Sequence, residues 1–366
     1  MPYAPVRHQA FGDDEINAVV DALREGWLGI GPLVARFESE IAALFGKRHG
    51  VMVNSGSSAN LLSTHELPGG RIATPALTFA TTIAYLVDRD VEIVDVEEGT
   101  YQIDFEKLEA EPDVLFVPNL LGNIPDWNSA PRVFTVEDSC DTITDAGADI
   151  SAITTSSFYA SHIITACGGG GILLTNDSDI AARTASRRAW GRPVVEESDL
   201  DRRFGEIDGL PYDKRFIYEY VGYNFQPLEV EAAFGLAQLR RFEDFKRIRD
   251  RNFERLMNFF KDYEDRFILP VTRPGANWLA FPLTARPGLD RNALARHLEE
   301  NDIQTRPIFS GNITRQPAYK ELFGTRSFPI ADRVMEGGLL IGAHHGLTDE
   351  HLDYLEDVFR RYLLAN

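Results

Sequence analysis

A hydroxyl-rich run with a single histidine is the first stretch of this sequence that could do chemistry. Residues 156–167 carry serines, threonines and His162, and four glycines, 168–171, follow directly. Imidazole titrates near neutral pH and can act as a base, and bare glycine backbone lets a ligand approach closely. The same pattern also fits a plain hairpin with a glycine loop, so this stretch alone leaves both interpretations open.

A second polar cluster follows a short apolar strand near residue 51. Asn54-Ser55-Gly56-Ser57-Ser58 leads from that strand into a helical pattern. Free N–H groups at a helix N-terminus, together with serine hydroxyls, bind anions such as phosphate. The spacing is neither that of a P-loop nor GxGxxG. An ordinary serine N-cap is the alternative.

These polar groups need a scaffold, and the alternation of strands with helical stretches predicts one. Four further strands are expected at residues 71–75, 91–96, 114–119 and 133–138. This alternation predicts an α/β fold with a mainly parallel sheet, helices on both faces, and ligands beyond the carboxyl ends of the strands. Phe79, Asn119, Asp138 and His162 lie at or just past such ends. A phosphate cradle, an aromatic face and a carboxylate for a pyridinium nitrogen are what pyridoxal phosphate (PLP) requires.

The amino-acid composition limits which binding partners and which cellular compartment are expected. The 366 residues carry a formal net charge of −19, which disfavours nucleic acid and anionic membranes. Two cysteines, Cys140 and Cys167, predict a reducing compartment and cannot form a four-thiolate metal site. The N-terminus lacks a signal-peptide pattern and no apolar run is long enough for a membrane span, so we expect a soluble, cytoplasmic protein.

Two domains are expected. The first, residues 1–265, binds the cofactor and includes two N-terminal helices and an irregular loop or arm at 191–223. The second, residues 266–366, is a small α+β domain. The charged helical run at 240–255 is interpreted as a solvated face.

Taken together, these motifs resemble the DegT/DnrJ/EryC1/StrS family of sugar aminotransferases, which have the fold of type I PLP-dependent transferases. The resemblance runs nearly end to end and rests on residues 54–60, 74–79, 136–138, 157–159 and 222–224. It implies a homodimer with shared active sites. The cofactor residues that it implies are Gly56, Ser57 and Ser157 at the phosphate, Phe79 on the ring, Asp138 at the ring nitrogen, Asp141 nearby, and Asn224 at the phosphate of the neighbouring subunit.

One position departs from the family pattern. The lysine that holds the cofactor covalently belongs five residues after Ser157, where this chain has His162, and no lysine occurs between Lys107 and Lys214. The same exchange marks a branch that resembles sugar-nucleotide 3-dehydratases, which the stretches 305–317 and 344–346 also resemble. Asp141 stands where the family has glutamine.

This resemblance implies the loss of the C3 hydroxyl from a nucleotide-linked 4-keto-6-deoxyhexose, as in deoxysugar and lipopolysaccharide biosynthesis. His162 would be the base, PLP or pyridoxamine phosphate (PMP) the cofactor, and glutamate the amino donor. No metal is expected, and an external electron donor stays open. Sugar-nucleotide aminotransfer and non-catalytic binding are the alternatives. The expected substrate contacts are Trp27, Arg306, Arg315 and His345.

Overall fold

A seven-stranded sheet organises the larger part of the molecule. The structure, a computed structural model, describes residues 1–5, 11–193 and 203–365. The spatial strand order is β1-β7-β6-β5-β4-β2-β3. The strands are β1 (His49–Val53), β2 (Ile72–Pro75), β3 (Val91–Val94), β4 (Val114–Pro118), β5 (Phe134–Asp138), β6 (Ile153–Ser157) and β7 (Gly171–Thr175).

The sheet is mainly parallel, as predicted. Strands β3, β2, β4, β5 and β6 pair in parallel, whereas β7 is antiparallel to both of its neighbours. Strands β6 and β7 are consecutive and antiparallel, so the chain from Ser157 to Gly171 is the connection of a hairpin. The hairpin interpretation and the chemical interpretation of this stretch are therefore compatible, because the hairpin loop also carries His162.

Helices cover both faces of the sheet, which confirms the predicted α/β class. Met52 and Val53 point to opposite faces, as successive strand residues must, and they join different apolar clusters. The Met52 cluster includes side chains of α2 (Pro32–Leu44) and α6 (Glu229–Leu239). The Val53 cluster includes side chains of α3 (Gly56–Thr64) and α5 (Ser178–Arg188).

The connections along the other half of the sheet are shorter than the βαβ pattern implied. The segment between β2 and β3 holds only α4 (Ala80–Ile83), and the following connections carry 3₁₀ turns at Phe105–Lys107 and Leu120–Gly122. At the N-terminus, α1 (Asp13–Glu25) precedes α2 across a glycine-containing turn, as predicted.

A second sheet lies in the C-terminal part of the chain. Its four antiparallel strands run in the order β10-β11-β13-β12. Its elements, together with the long helix before it, are α7 (Phe242–Phe260), β10 (Phe267–Ile268), β11 (Phe281–Ala285), α8 (Arg291–Glu300), β12 (Thr305–Arg306), α9 (Pro317–Phe323), α10 (Pro329–Gly337), β13 (Gly338–Ile341) and α11 (Asp349–Ala365).

The long helix α7 belongs to the core of this C-terminal part. Its Phe260 stacks on Phe281 of the small sheet, with ring centroids 5.4 Å apart. One apolar cluster thus joins residues on both sides of position 265, and the predicted division into domains stays a prediction. The expectation that 240–255 is a solvated face is wrong for Arg249, which is 1% exposed because it lies on the core-facing side of α7.

The predicted arm is partly a β-hairpin. Strands β8 (Phe204–Ile207) and β9 (Leu210–Asp213) pair antiparallel, while residues 194–202 of this arm lie outside the described residues. Side chains such as Phe204 and Leu210 are exposed on it. Among the described residues, no helix combines the length and the apolarity that crossing a membrane requires.

Candidate active site

A cavity of about 260 Å³ opens where β5 and β6 end and α3 begins. This is the carboxyl edge of the parallel strands, where α/β sheets bind their ligands. The residues that line it are Ser55, Gly56, Ser57, Phe79, Thr81, Thr82, Pro118, Leu120, Asp138, Cys140, Asp141, Ser157, Tyr159, His162 and Phe309.

One end of the cavity is built from backbone and hydroxyl groups. Ser55 caps α3, since its hydroxyl accepts the Ser58 amide at 3.1 Å. The adjacent Ser57 amide lies in the first turn, where no carbonyl of the same helix can accept it. Gly56 is needed here because a Cβ atom would lie 2.6 Å from the Ser157 Cβ and 2.8 Å from the Cys140 sulfur. The helix N-terminus, Ser57 and Ser157 thus form a cradle suited to a phosphate.

Asp138 forms the floor of the cavity. Its Oδ2 accepts hydrogen bonds from the Asn60 amide and the Thr82 hydroxyl, both at 2.8 Å. Its Oδ1 accepts a longer, 3.3 Å hydrogen bond from the Cys140 amide. A buried carboxylate held on one oxygen keeps acceptor capacity on the other, which suits a protonated ring nitrogen.

His162 lies in the hairpin loop after β6. Its Nδ1 is 3.2 Å from the Ser157 carbonyl oxygen. Because a carbonyl can only accept, Nδ1 carries the proton, and Nε2 keeps a free lone pair. Desolvation in the cavity lowers the pKa of His162, despite the Ser157 carbonyl and the Asp138 charge, which act to raise it. The imidazole is therefore a neutral base at neutral pH.

Aromatic rings and a second carboxyl complete the walls. Phe79 and Phe309 meet edge to face with centroids 5.8 Å apart, and Tyr159 packs in the same way on His162 at 6.0 Å. Asp141 accepts the Leu121 amide at 2.8 Å. Desolvation, assisted by the nearby Asp138 charge, raises the pKa of Asp141 to about 7.

The structure brings seven of the predicted site residues to this cavity, all as lining residues. They are Gly56, Ser57, Phe79, Asp138, Asp141, Ser157 and His162.

The other five predicted residues do not line the cavity of the described chain. Trp27 is 58% exposed on the turn before α2, and Asn224 is exposed beside Ala189. Arg306 lies over the Tyr3 ring, Arg315 is paired with Asp332, and His345 stacks on Phe245 at 3.9 Å. For Asn224, an exposed position is compatible with its predicted role across a dimer.

Sequence reasoning missed several residues that line the cavity, as Thr82 and Phe309 do, or that hold its lining in place, as Asn60 holds Asp138. Asn60 lies one helical turn after Gly56, so the helical period could have placed it beside the phosphate cradle. Thr82 belongs to the stretch after Phe79. Phe309 comes from the C-terminal part of the chain, and its arrival next to Phe79 depends on long-range packing that no local pattern reveals.

The donor set fits a phosphorylated pyridine. The cradle at Gly56, the Oδ1 atom of Asp138 and the exposed face of Phe79 match its phosphate, ring nitrogen and ring. As far as the described residues go, lysine is absent from the lining. The same residues contain no group of three or more histidine, cysteine, aspartate or glutamate side chains arranged to hold a metal ion.

Comparisons with known proteins agree with this geometry. A dTDP-4-dehydro-2,6-dideoxy-D-glucose 3-dehydratase from Saccharopolyspora spinosa is 33% identical over 96% of this chain and 84% of its own length. A GDP-perosamine synthase from Caulobacter vibrioides is 26% identical over 96% of both chains. A solved structure of GDP-4-keto-6-deoxymannose-3-dehydratase with a trapped PLP-glutamate geminal diamine is 25% identical, with a TM-score of 0.84, and the match covers 98% of this chain and 99% of that one.

These matches confirm the predicted fold of type I PLP-dependent transferases and the predicted cofactor, PLP or PMP. The relatives include both a 3-dehydratase and a GDP-perosamine synthase. The profile of the DegT/DnrJ/EryC1/StrS aminotransferase family matches residues 9–360, and the chain belongs to this family.

Proposed function

We propose that the chain is a PLP/PMP-dependent 3-dehydratase that removes the C3 hydroxyl of a nucleotide-linked 4-keto-6-deoxyhexose. The observation that carries this proposal is His162 in the cavity with a free Nε2, where a covalent lysine would favour amino transfer. The proposed setting is deoxysugar biosynthesis in the cytoplasm, by a homodimer to which Asn224 contributes across the subunits.

The chain's own residues supply binding and proton transfer. Ser57, Ser157 and the N-terminus of α3 hold the cofactor phosphate, and Asp138 keeps the ring nitrogen protonated. When bound, the cofactor supplies an electron sink for the removal of a proton next to its ring. The Nε2 atom of His162 accepts that proton and can return it, while the Nδ1 hydrogen bond to Ser157 fixes the orientation of the imidazole.

The electrons need a source, and glutamate is sufficient. Replacing the C3 hydroxyl by hydrogen is a two-electron reduction of the sugar. Oxidation of one glutamate to 2-oxoglutarate, with release of ammonia, balances both the electrons and the atoms. The two cysteines of the sequence cannot hold an iron–sulfur cluster of the four-cysteine type, so we favour the glutamate route. Arg306, Arg315, Trp27 and His345 stay proposed as nucleotide-sugar contacts.

Mass spectrometry of the products tests the function. The enzyme is incubated with PLP, glutamate and the GDP-, CDP- or dTDP-linked 4-keto-6-deoxyhexoses. We expect a sugar product that has lost one oxygen, with ammonia and 2-oxoglutarate in equal amounts. Gain of an amino group at C4 would establish the aminotransferase instead. If turnover requires an added reductant, that reductant and not glutamate is the electron source. Tight binding without turnover would identify a non-catalytic homologue.

A further inference from the structure

A second carboxyl, that of Asp141, lines the cavity in addition to Asp138. Asp138 ends β5 and Asp141 follows on the next loop, and both line the cavity of about 260 Å³ together with His162. Two carboxylates that share one cavity repel each other when both are ionised, so one of them tends to hold a proton. Their hydrogen bonds determine which one.

Asp138 is the better stabilised of the two as an anion. It accepts three hydrogen bonds, each of which stabilises a negative charge. The donors are the side chains of Asn60 and Thr82 and the amide of Cys140. Asp141 accepts one, from the Leu121 amide at 2.8 Å, and the described residues give its side chain no second donor. The proton therefore resides on Asp141.

The backbone at Leu121 is built to hold Asp141 in place. Leu121 has a φ of +60°, a left-handed conformation that residues other than glycine rarely adopt. Its carbonyl accepts the Leu279 amide at 2.8 Å, which fixes the turn against the C-terminal part of the chain. The Leu121 amide thereby holds Oδ2 of Asp141, and the other oxygen stays available to a ligand in the cavity.

The surroundings of Asp141 suit a group that donates a proton. Desolvation, assisted by the Asp138 charge, raises the pKa of Asp141 to about 7, and an acid is most effective when its pKa lies near the working pH. Burial raises the pKa of the nearby Cys140 and Tyr3 side chains, so both are neutral at that pH. With His162 as a neutral base, the cavity holds one acid and one base.

We propose that Asp141 is the acid that protonates the departing C3 hydroxyl of the sugar. This inference rests on the proposed function, in which that hydroxyl is removed. Hydroxide is a poor leaving group, whereas water leaves readily once one proton has been transferred. Amino transfer alone breaks no bond to this hydroxyl and needs no such acid.

The step balances in atoms and electrons. When His162 accepts its proton, the electron pair left behind forms a new double bond to C3, and the bond from C3 to oxygen breaks with its pair going to oxygen. The O–H bond of Asp141 breaks, and its proton joins that oxygen, so water leaves. Return of the proton from His162 to Asp141 through solvent restores both groups without an oxidant or a reductant.

Asp141→Asn tests the acid, because asparagine can still accept the Leu121 amide but has no proton to give. In single turnovers followed by mass spectrometry, we expect loss of the C3 oxygen to slow about 10²- to 10⁴-fold. Conversion of the PLP form by glutamate, read from the cofactor absorbance, should keep its wild-type rate. The control is Asp145→Asn, since Asp145 is exposed on the same loop and does not line the cavity. It should match the wild type in both assays.

Two further measurements isolate the proton itself. A substrate with fluorine in place of the C3 hydroxyl should lose fluoride at similar rates in wild type and Asp141→Asn, because fluoride is a much weaker base than hydroxide. Infrared spectra of PLP-loaded wild type at about pH 6, below the pKa of Asp141, should contain a protonated-carboxyl band that Asp141→Asn lacks.

The inference is overturned if folded Asp141→Asn loses the C3 oxygen at the wild-type rate, or if the glutamate step or fluoride loss slows as much as loss of the hydroxyl. Absence of the infrared band would also overturn it. If Asp141→Asn does not fold, Asp141→Gln carries the same amide and decides by the same comparisons. Wild-type enzyme that removes no C3 oxygen would instead refute the proposed function, and this inference with it.

Discussion

At the scale of single residues, the site depends on which atom of His162 is free. The Ser157 carbonyl takes the Nδ1 proton, and Nε2 is left as the base. Two consequences can be measured: what happens when the base is removed, and how its activity depends on pH.

His162→Asn should keep cofactor binding and lose turnover, because the asparagine amide can still donate to Ser157 but cannot accept a proton. We expect a fall in kcat of about 10²- to 10⁴-fold, the usual contribution of a general base. The cofactor absorbance spectrum checks loading. His65→Asn serves as the control, since His65 bonds to Tyr223 outside the cavity. Full activity in His162→Asn would refute the assigned role.

The pH profile of the wild type follows from the same desolvation. Because the pKa of His162 is lowered from 6.5, the imidazole stays neutral as the pH falls past that value. The acid limb of kcat should therefore lie below pH 6.5 and be missing from the residual activity of His162→Asn. A limb at or above 6.5 in enzyme with saturating cofactor would contradict a desolvated base.

Gly56→Ala should fill the phosphate cradle. The added methyl group would overlap Ser157 and Cys140, and overpacking of this kind costs about 1–3 kcal/mol. We expect weaker PLP affinity in equilibrium dialysis together with a lower Tm. Gly69→Ala is the matched control, because nothing lies within 4 Å of its added Cβ. Equal PLP affinity in the two variants would show that the cradle does not hold the phosphate.

At the scale of elements, local sequence patterns predict the helices better than they predict the lengths of the strands. The helices at 13–25 and 349–365 have acidic first turns, and the helix at 32–44 begins with a proline; these signals are complete within each element. Strand β12 has only two residues, Thr305–Arg306, since its length depends on its pairing with β13. The burial of Arg249 escapes local patterns for a related reason, because what faces α7 is set by distant segments such as the one that contains Leu279.

Contacts between elements also explain how the two sheets are held together. Asp95 follows β3 in the large sheet, yet its carboxylate accepts the Ile330 and Ala331 amides at the N-terminus of α10, both at 3.0 Å. A buried cap of this kind joins a large-sheet strand to a helix of the C-terminal part.

Asp95→Ala should therefore destabilise the protein by about 2 kcal/mol, at the upper end of the range for a lost helix cap, because the freed amides stay buried. Asp290→Ala removes an exposed cap of α8 and should cost about 1 kcal/mol. Urea denaturation compares the two. A smaller loss for Asp95→Ala than for Asp290→Ala would mean that the connection between the sheets contributes little.

At the scale of the whole molecule, one buried histidine connects the C-terminal part of the chain to the N-terminal segment. His344, beside β13, is 0% exposed, and its Nε2–H donates to the carbonyl of Pro2 at the N-terminus at 3.1 Å. Its Nδ1 accepts the Gly346 amide at 3.1 Å. Both ring nitrogens are thus used in the neutral tautomer, and a second proton would break the bond to Gly346.

This arrangement predicts how stability depends on pH. Burial, with a smaller effect of the Arg249 charge, lowers the pKa of His344 to about 3. Between that value and about 6.5, its value when unfolded, the unfolded chain binds the proton and the folded chain does not. The free energy of unfolding should therefore fall by several kcal/mol as the pH drops through this window.

In His344→Gln, which is less stable at pH 7, the slope of unfolding free energy against pH should be shallower, whereas His351→Gln at the start of α11 should keep the wild-type slope. Urea titrations from pH 4 to 7 measure the slopes. Equal slopes in His344→Gln and the wild type would show that this histidine does not set the acid sensitivity of the fold.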